Sequence, residues 1–263
     1  MGVTARLEVW RWAVTDPPCM GGLHIGIYEF AKTGGFGIID EWHMAEAQTP
    51  PTARPSPRPE ARPEGSPKSK FNLAQAVAEV EKRLANTDQT TARPILIMIS
   101  GLPGTGKSYL ARKLAEREPF VVLEADFVRK TLFPQPTYTA WESQWVHRTI
   151  HALIHKFLAK GLRVIYDATN LIEYQREMVY HIADKAGAKL VIVVTVAPEE
   201  VVRERLRRRH GGHRDPGDIS DATWQVYRRM VGRQQPIRRS YLVVDTSQDL
   251  DQAIRKILRV ARK

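Results

Sequence analysis

A glycine-rich segment at residues 101–108 carries the residue types that bind phosphate. It reads Gly101, Leu102, Pro103, Gly104, Thr105, Gly106, Lys107 and Ser108 and satisfies the pattern G-x-x-x-x-G-K-[ST]. Its glycines let backbone N–H groups converge on phosphate oxygens, and the positive end of the helix that follows strengthens binding. We expect this segment, with Tyr109, to bind the phosphates of ATP. Lys107 would reach the β- and γ-phosphates, and the Ser108 hydroxyl would ligate Mg²⁺.

Acidic residues follow the second and third predicted strands. Asp126 comes shortly after the second strand, where the crevice at the carboxyl ends of parallel strands would place it near the γ-phosphate. A carboxylate there can accept a proton from an attacking hydroxyl group. Arg129, one helical turn later, can bind an anionic group of the acceptor. The alternative is that Asp126 only caps a helix and Arg129 is a solvated side chain.

Asp167 ends the third predicted strand and can hold Mg²⁺ together with Ser108. Thr169, Asn170 and Arg176 follow it and would line the acceptor side of the site. The alternative for this group is helix capping.

Arginines crowd one predicted helix after the fourth strand, at positions 203, 205, 207, 208 and 209. Such like charges repel one another unless anions neutralise them. A helical lid that brings guanidinium groups onto a transferring phosphate would use this charge and exclude water. We expect Arg205 and Arg209, four residues apart on one helix face, to serve the reaction in this way. A solvated basic helix or an RNA-binding patch remains the alternative.

Alternating apolar runs and helical periods predict the elements that position these residues. Strands are predicted at Ile95–Ser100, Phe120–Glu124, Arg163–Asp167, Leu190–Val196 and Tyr241–Asp245. Helices are predicted at Lys107–Glu118, Trp141–Lys160, Glu173–Ala186, Pro198–Arg209, Asp221–Val231 and Leu250–Val260. Five strands joined by helical crossovers indicate an α/β protein with a parallel sheet and helices on both faces.

The N-terminal part of the chain has a different character. Seven prolines lie between Pro50 and Pro67, a composition typical of a disordered linker. Residues 1–46 show no sustained helical or strand period. We therefore predict a poorly ordered extension over residues 1–70 and one domain over residues 71–263. The domain has a leading helix within residues 71–90 that ends near Asn86, and the core and lid lie within 94–263.

Composition limits the class of protein. The chain has 263 residues, 43% hydrophobic and 26% charged, and lacks any apolar run long enough to span a bilayer. Its single cysteine, Cys19, excludes an intramolecular disulfide and favours a reducing cytoplasm. The net charge of +11 favours anionic partners such as nucleotides or nucleic acid. We expect no membrane association, and no obligate protein partner is evident.

The motifs together resemble the polynucleotide-kinase-like branch of P-loop kinases, whose members are often labelled AAA-family ATP-binding proteins. The resemblance rests on G-L-P-G-T-G-K-S, D-F-V-R-K-T-L-F, V-I-Y-D-A-T-N-L with Arg176, R-E-R-L-R-R-R and S-D-A-T-W-Q-V-Y, over about residues 94–263. It implies a P-loop NTPase fold with strand order 2-3-1-4-5. It also implies that Asp126 is the general base, that Arg129 contacts an acceptor phosphate, and that Arg205 and Arg209 bind ATP phosphates.

The expected activity is transfer of the ATP γ-phosphate to a hydroxyl group, with Mg²⁺ as cofactor. The acceptor is either a polynucleotide 5′-hydroxyl or a small metabolite. A nucleotide-dependent ATPase or switch, with a basic surface that docks a partner, is the alternative from another class. In the resembling family the segment Ser220–Tyr227 forms a helix after the lid, for which Ser220 reads as the N-cap and Trp224 and Tyr227 as core residues.

Overall fold

The computed structural model describes residues 72–215 and 217–263, together with the backbone of Trp12–Ala13. The strands are β1 (Trp12–Ala13), β2 (Ile95–Ser100), β3 (Val121–Glu124), β4 (Arg163–Asp167), β5 (Lys189–Val196) and β6 (Tyr241–Asp245). The helices are α1 (Leu73–Glu81), α2 (Lys107–Arg117), α3 (Ala125–Leu132), α4 (Ala140–Ala159), α5 (Glu173–Lys185), α6 (Glu199–His210), α7 (Trp224–Val231) and α8 (Asp251–Arg262). Apart from β1, the predicted extension at residues 1–70 lies outside the described residues.

The sheet has the order β1-β6-β5-β2-β4-β3. Its five strands from β2 to β6 are parallel, and counted among themselves they run 2-3-1-4-5, which confirms the expected topology. The sixth strand, β1, was not predicted and pairs antiparallel with β6 at the sheet edge, with Trp12 opposite Leu242. The central position of β2 means that the loop after it opens between two neighbouring strands.

Apolar side chains of β2 point alternately to two buried clusters, one on each face of the sheet. Leu96 and Met98 pack with helices α1, α3, α4 and α5. Ile95, Ile97 and Ile99 pack with α2 and α8. A strand buried on both faces is typical of a parallel sheet covered by crossover helices, so the predicted coverage of both faces is confirmed.

Three helices depart most from the prediction, either in their bounds or because they were not predicted as elements. α1 ends at Glu81 rather than near Asn86. The added helix α3 follows β3 without a loop and carries Asp126 in its first turn. α7 begins only at Trp224, because the side chain of Thr223, rather than that of Ser220, accepts the capping hydrogen bond from the Val226 amide at 3.3 Å.

Helix α7 buries no residue fully, contrary to the expectation that its aromatic residues belong to the core. Trp224 and Tyr227 stack on each other with ring centroids 4.8 Å apart, and the Arg203 guanidinium lies 4.7 Å from the Trp224 ring. These side chains therefore tie α7 to α6 rather than to the sheet. Within the part of the chain that the structure describes, no helix has both the length and the apolar character needed to cross a bilayer.

Candidate active site at the strand tips

The phosphate loop joins β2 to α2, as the motif requires. Gly104 and Gly106 both have φ near +81°, a left-handed conformation that favours glycine. A Cβ atom at Gly106 would lie 2.8 Å from Thr246 Oγ1, and one at Gly104 would lie 2.9 Å from Val202 Cγ1 of α6. The loop therefore needs glycine both for its backbone angles and for its close packing against α6 and the segment after β6.

Hydrogen bonds from three other segments hold this loop in place. Thr105 Oγ1 lies 2.8 Å from Thr195 Oγ1 at the end of β5, and Thr246 Oγ1 donates to the Thr105 carbonyl at 2.8 Å. Arg205 of α6 donates to Thr246 Oγ1 and to the Thr246 carbonyl, each at 2.8 Å, and to the Gly104 carbonyl at 3.3 Å. The sequence predicted phosphate contacts for Arg205, but in the structure its guanidinium fastens the loop to the segment after β6.

Lys107 lies at the centre of a group of charges. Its Nζ donates to the Leu102 carbonyl at 3.0 Å. Burial lowers the pKa of Lys107, while the nearby carboxylates of Asp167, Asp126 and Glu124 act to raise it. The predicted lysine and both predicted aspartates therefore lie close enough to interact electrostatically. Tyr109, also predicted to contact the nucleotide, lies on α2 and is 46% exposed. The Lys113 ammonium lies 5.8 Å from the centre of its ring.

Glu124, a residue for which the sequence analysis predicted no role, completes the carboxylate group. It ends β3 directly opposite Asp167 in the register of β4, so the two side chains project from neighbouring strand tips. Ser108 Oγ donates a hydrogen bond to Glu124 Oε1 at 3.2 Å. The spacing Glu-x-Asp at the end of a strand was the available signal, but only the strand register aligns Glu124 with Asp167.

Burial and mutual repulsion raise the pKa values of Glu124 and Asp167. Burial, followed by the charges of Asp167 and Asp126, raises the pKa of Glu124 to about 8. Burial also raises the pKa of Asp167, although Lys107 and Ser108 act against it. Asp167 Oδ2 is buried and has no hydrogen-bond partner among the described residues. An orphaned carboxylate oxygen beside a second carboxylate and a hydroxyl group is a set of hard oxygen donors that suits Mg²⁺.

Arg129 lies one helical turn from Asp126 on α3, as predicted, and is 9% exposed. Its Nη2 donates to Ser143 Oγ at 3.2 Å, and its guanidinium lies 5.0 Å from the centre of the Tyr138 ring. Nη1 lies 3.5 Å from Glu142 Oε2 but makes no hydrogen bond to a described residue. The sequence did not predict these three partners, which come from the start of α4 and the loop before it.

The residues predicted to line the acceptor side have two different environments. Thr169 is partly exposed, and its carbonyl accepts hydrogen bonds from the Gly101 amide and from Ser100 Oγ, each at 3.1 Å. Asn170 is buried with φ at +47°, and its Nδ2 donates to the Ile99 carbonyl at 2.7 Å. Asn170 therefore joins the loop after β4 to the end of β2, next to the phosphate loop.

Arg176 is 1% exposed, so it does not line an accessible acceptor surface, contrary to the prediction. Its guanidinium donates to the Asn170 carbonyl at 2.7 Å and to the Gln235 carbonyl at 2.9 Å, and it forms an ion pair with Glu173. A buried guanidinium is stable only when its donors are satisfied, and these partners satisfy it. Arg176 thus joins the loop after β4 to the segment after α7.

The second lid arginine, Arg209, lies on the same face of α6 as Arg205. Its Nε donates to Asp218 Oδ2 at 2.8 Å and its Nη1 donates to the Ala222 carbonyl at 3.3 Å. The charge of Arg209 also acts to lower the pKa of Lys107. The hydrogen bonds of Arg209 therefore join α6 to the segment that follows it, rather than to the phosphate loop.

Comparison with known proteins identifies relatives with the same type of domain. A protein of Aeropyrum pernix named "Probable adenylyl-sulfate kinase" is 33% identical over 116 residues, which cover 41% of this chain and 63% of the relative. A Rattus norvegicus protein named 6-phosphofructo-2-kinase/fructose-2,6-bisphosphatase 1 is 26% identical over 146 residues, or 48% of this chain and 31% of the relative. The chain thus spans less than two thirds of the length of either protein.

The fold is also found among solved structures. A solved structure from Chloroflexus aurantiacus aligns with a TM-score of 0.52 at 21% identity, covering 63% of this chain and 97% of that chain. The family model described as AAA domain matches residues 96–236, from β2 to beyond α7. This match covers more than half of the chain and contains the phosphate loop, all three acidic strand-tip residues and the lid, so the chain belongs to this P-loop family of AAA domains.

Proposed function

We propose that the protein transfers the γ-phosphate of ATP to a hydroxyl group of an acceptor. The observation that carries this proposal is the convergence of five side chains at the tips of β2, β3 and β4, namely Lys107, Ser108, Glu124, Asp126 and Asp167. A phosphate loop alone serves many NTPases. A carboxylate beside the phosphate-binding lysine and a buried arginine one turn away add what phosphoryl transfer to a hydroxyl group requires.

The phosphate loop would bind the triphosphate through its backbone N–H groups and the N-terminus of α2. Lys107 would exchange its hydrogen bond to the Leu102 carbonyl for one to a phosphate oxygen. The buried ammonium group would thereby gain an anionic partner. Arg209, whose charge acts on Lys107, would add a second positive charge on the lid side. Both positive charges would stabilise the negative charge on the phosphoryl oxygens during transfer.

Ser108, Glu124 and Asp167 are the residues that fit Mg²⁺. The supporting observation is the buried Asp167 Oδ2 without a hydrogen-bond partner, next to the hydrogen bond between Ser108 and Glu124. Within residues 72–215 and 217–263, no three His, Cys, Asp or Glu side chains are grouped as a metal site, so phosphate oxygens and water would complete the coordination. When bound, Mg²⁺ neutralises negative charge on the β- and γ-phosphates.

Asp126 is proposed as the general base. It lies in the first turn of α3, two residues after the strand-tip Glu124, and its charge acts on both Lys107 and Glu124, which supports a place at the phosphate-binding end of the site. The acceptor oxygen forms a bond to the γ-phosphorus, the bond to the β-phosphate oxygen breaks, and the acceptor proton passes to Asp126. ADP and the phosphorylated acceptor are the products.

Arg129 indicates that the acceptor carries an anionic group beside its hydroxyl group. Its Nη1 is buried and lacks a hydrogen-bond partner among the described residues, so a phosphate, sulfate or carboxylate oxygen would satisfy it. The names of the two relatives describe kinases for adenylyl sulfate and for a phosphorylated fructose, both of which are anionic. A polynucleotide end, which the family resemblance implies, meets the same requirement.

A panel of acceptors tests this proposal. The full chain is incubated with Mg²⁺ and γ-labelled ATP, together with adenylyl sulfate, fructose 6-phosphate or oligonucleotides that carry a 5′-hydroxyl, and labelled products and ADP release are measured. We expect one acceptor class to become labelled and to increase ADP release. ATP hydrolysis that no acceptor stimulates, together with nucleotide-driven assembly in a size measurement, would instead favour an ATPase or switch.

A further inference from the structure

Asp221 receives contacts from three other parts of the molecule. It lies between the lid helix α6 and α7, and its Oδ2 accepts from Lys130 Nζ at 2.8 Å and from the Tyr138 hydroxyl at 2.9 Å. Arg214 Nη2 lies 3.5 Å from its Oδ1. Burial acts to raise the pKa of Asp221, but the hydrogen bonds from Lys130 and Tyr138 outweigh it and lower this pKa. Asp221 thus stays ionised. It joins the segment between α6 and α7 (the lid segment, residues 211–223) to α3 and to the loop before α4.

The loop that carries Tyr138 is held by Glu142. The Glu142 carboxylate accepts hydrogen bonds from the Tyr138 amide at 2.7 Å and from the Thr137 amide at 2.9 Å. Tyr138 has φ at +57°, which is uncommon for a residue with a large side chain. Its backbone is therefore constrained, while its ring is 48% exposed and depends on its own contacts for a fixed position.

Tyr138 connects Asp221 to Arg129. One side of this connection is the hydrogen bond from the Tyr138 hydroxyl to Asp221, and the other is the contact of the Arg129 guanidinium with the Tyr138 ring, 5.0 Å from its centre. Lys130, the neighbour of Arg129 on α3, contacts the same Asp221 oxygen. Two adjacent cations of α3 are thus linked to a single carboxylate of the lid segment, one directly and one through an aromatic ring.

We propose that Asp221 is a positioning residue for the acceptor, because it couples the lid segment to the Tyr138 ring that orients Arg129. This inference rests on the proposed phosphoryl transfer and assigns a role to the S-D-A-T-W-Q-V-Y segment beyond helix capping. With Asp221 in place, the Tyr138 ring lies against Arg129 and the acceptor meets an oriented guanidinium. Without it, the ring and Lys130 lose their common partner, and Arg129 keeps only Ser143 and Glu142 of the described residues to orient it before the acceptor binds.

The predicted effect is on acceptor binding rather than on folding. The Asp221 and Lys130 side chains are 38% and 34% exposed, and ion pairs of this exposure contribute little to stability. In steady-state assays with the acceptor found by the panel, Asp221→Asn should raise the acceptor KM by roughly threefold to tenfold. The KM for ATP and the melting temperature should stay close to those of the unaltered protein.

Tyr138→Phe is the second variant, because it removes only the hydroxyl group and leaves the ring against Arg129. It should also raise the acceptor KM. Since both substitutions break the same connection, the acceptor KM of the double variant should be close to that of the more affected single variant. Asp184→Asn is the matched control. It removes a carboxylate that accepts two hydrogen bonds from Arg239, at 2.8 and 3.2 Å, on the exposed side of α5, and should change neither KM.

The outcomes separate the two proposals. If the unaltered protein labels no acceptor, the proposed function fails and the role of Asp221 fails with it. If the unaltered protein transfers phosphate but Asp221→Asn and Tyr138→Phe leave the acceptor KM unchanged, only the positioning role is overturned. Equal increases in the KM for ATP and for the acceptor, or additive effects in the double variant, would also overturn it.

Discussion

Replacing Glu124 by Gln should make the protein more stable at alkaline pH, although it removes a hydrogen-bonded side chain. The Glu124 carboxyl group is buried between Asp167 and Asp126, and this environment raises its pKa to about 8. At pH 5 the group is protonated in the folded protein and nearly isosteric with Gln, so the substitution should change the free energy of unfolding little. As the pH rises through 8 the group ionises against burial and the repulsion of Asp167 and Asp126, and Gln avoids both costs.

The size of the effect follows from the two pKa values. The glutamate ionises near pH 4.5 in the unfolded chain and near pH 8 in the folded protein. Between these values the unfolded chain binds fewer protons, so the free energy of unfolding falls as the pH rises. With about 1.4 kcal/mol for each pH unit of difference, Glu124 lowers the free energy of unfolding by about 3 kcal/mol between pH 5 and pH 8.

Urea denaturation at a series of pH values, without nucleotide or Mg²⁺, measures this difference directly. The advantage of Glu124→Gln over the unaltered protein should grow by about 3 kcal/mol from pH 5 to pH 8. Glu200→Gln, which removes an exposed carboxylate from α6, is the control and should give a nearly constant difference. A constant difference for Glu124→Gln as well would refute the reasoning that Glu124 is buried within a group of like charges.

Four further substitutions, with Gly187→Ala as a control, test the site and its support. Lys107→Ala should abolish transfer and weaken ATP affinity, whereas Asp126→Asn should retain ATP binding and lower the transfer rate by roughly 10²- to 10⁴-fold; isothermal titration and the labelling assay measure both, and full activity of Asp126→Asn would remove it from the mechanism. Gly106→Ala should weaken ATP binding at least about tenfold, because its Cβ has no room, while Gly187→Ala, also at positive φ but with nothing within 4 Å, should not. Arg176→Met should lower the free energy of unfolding by about 3 kcal/mol, since carbonyl groups and Glu173 lose a buried partner; a thermal melt unchanged from that of the original protein would contradict this.

Strand and loop positions were largely predictable because their signals are local. The bounds of β2, β4 and β6 agree with the predicted strands, since each is an apolar run of β-forming residues next to a clear turn or helix signal. The phosphate loop and α2 follow from the glycine spacing alone. By contrast, α3 was not predicted, because an eight-residue helix that follows a strand without a loop gives only about two turns of periodicity.

Side-chain roles were less predictable, and arginines show why. From the sequence we predicted that these four arginines contact a phosphate or the acceptor: Arg129, Arg176, Arg205 and Arg209. A long cationic side chain can serve an anion or satisfy buried carbonyl groups, and the choice depends on what packs around it. In the structure Arg176 and Arg205 bind carbonyl groups of distant loops, whereas Arg129 retains a buried Nη1 without a hydrogen-bond partner among the described residues.

The order of the elements, the phosphate loop, Asp126 and Asp167 could all be read from local sequence, because each signal is encoded within a few consecutive residues. Only the tertiary structure placed Glu124 opposite Asp167 and joined Asp221 to Lys130 and Tyr138. Those contacts arise from strand register and from loops that meet only after the chain has folded. Their geometry depends on packing between segments far apart in sequence, which no local pattern of residue types records.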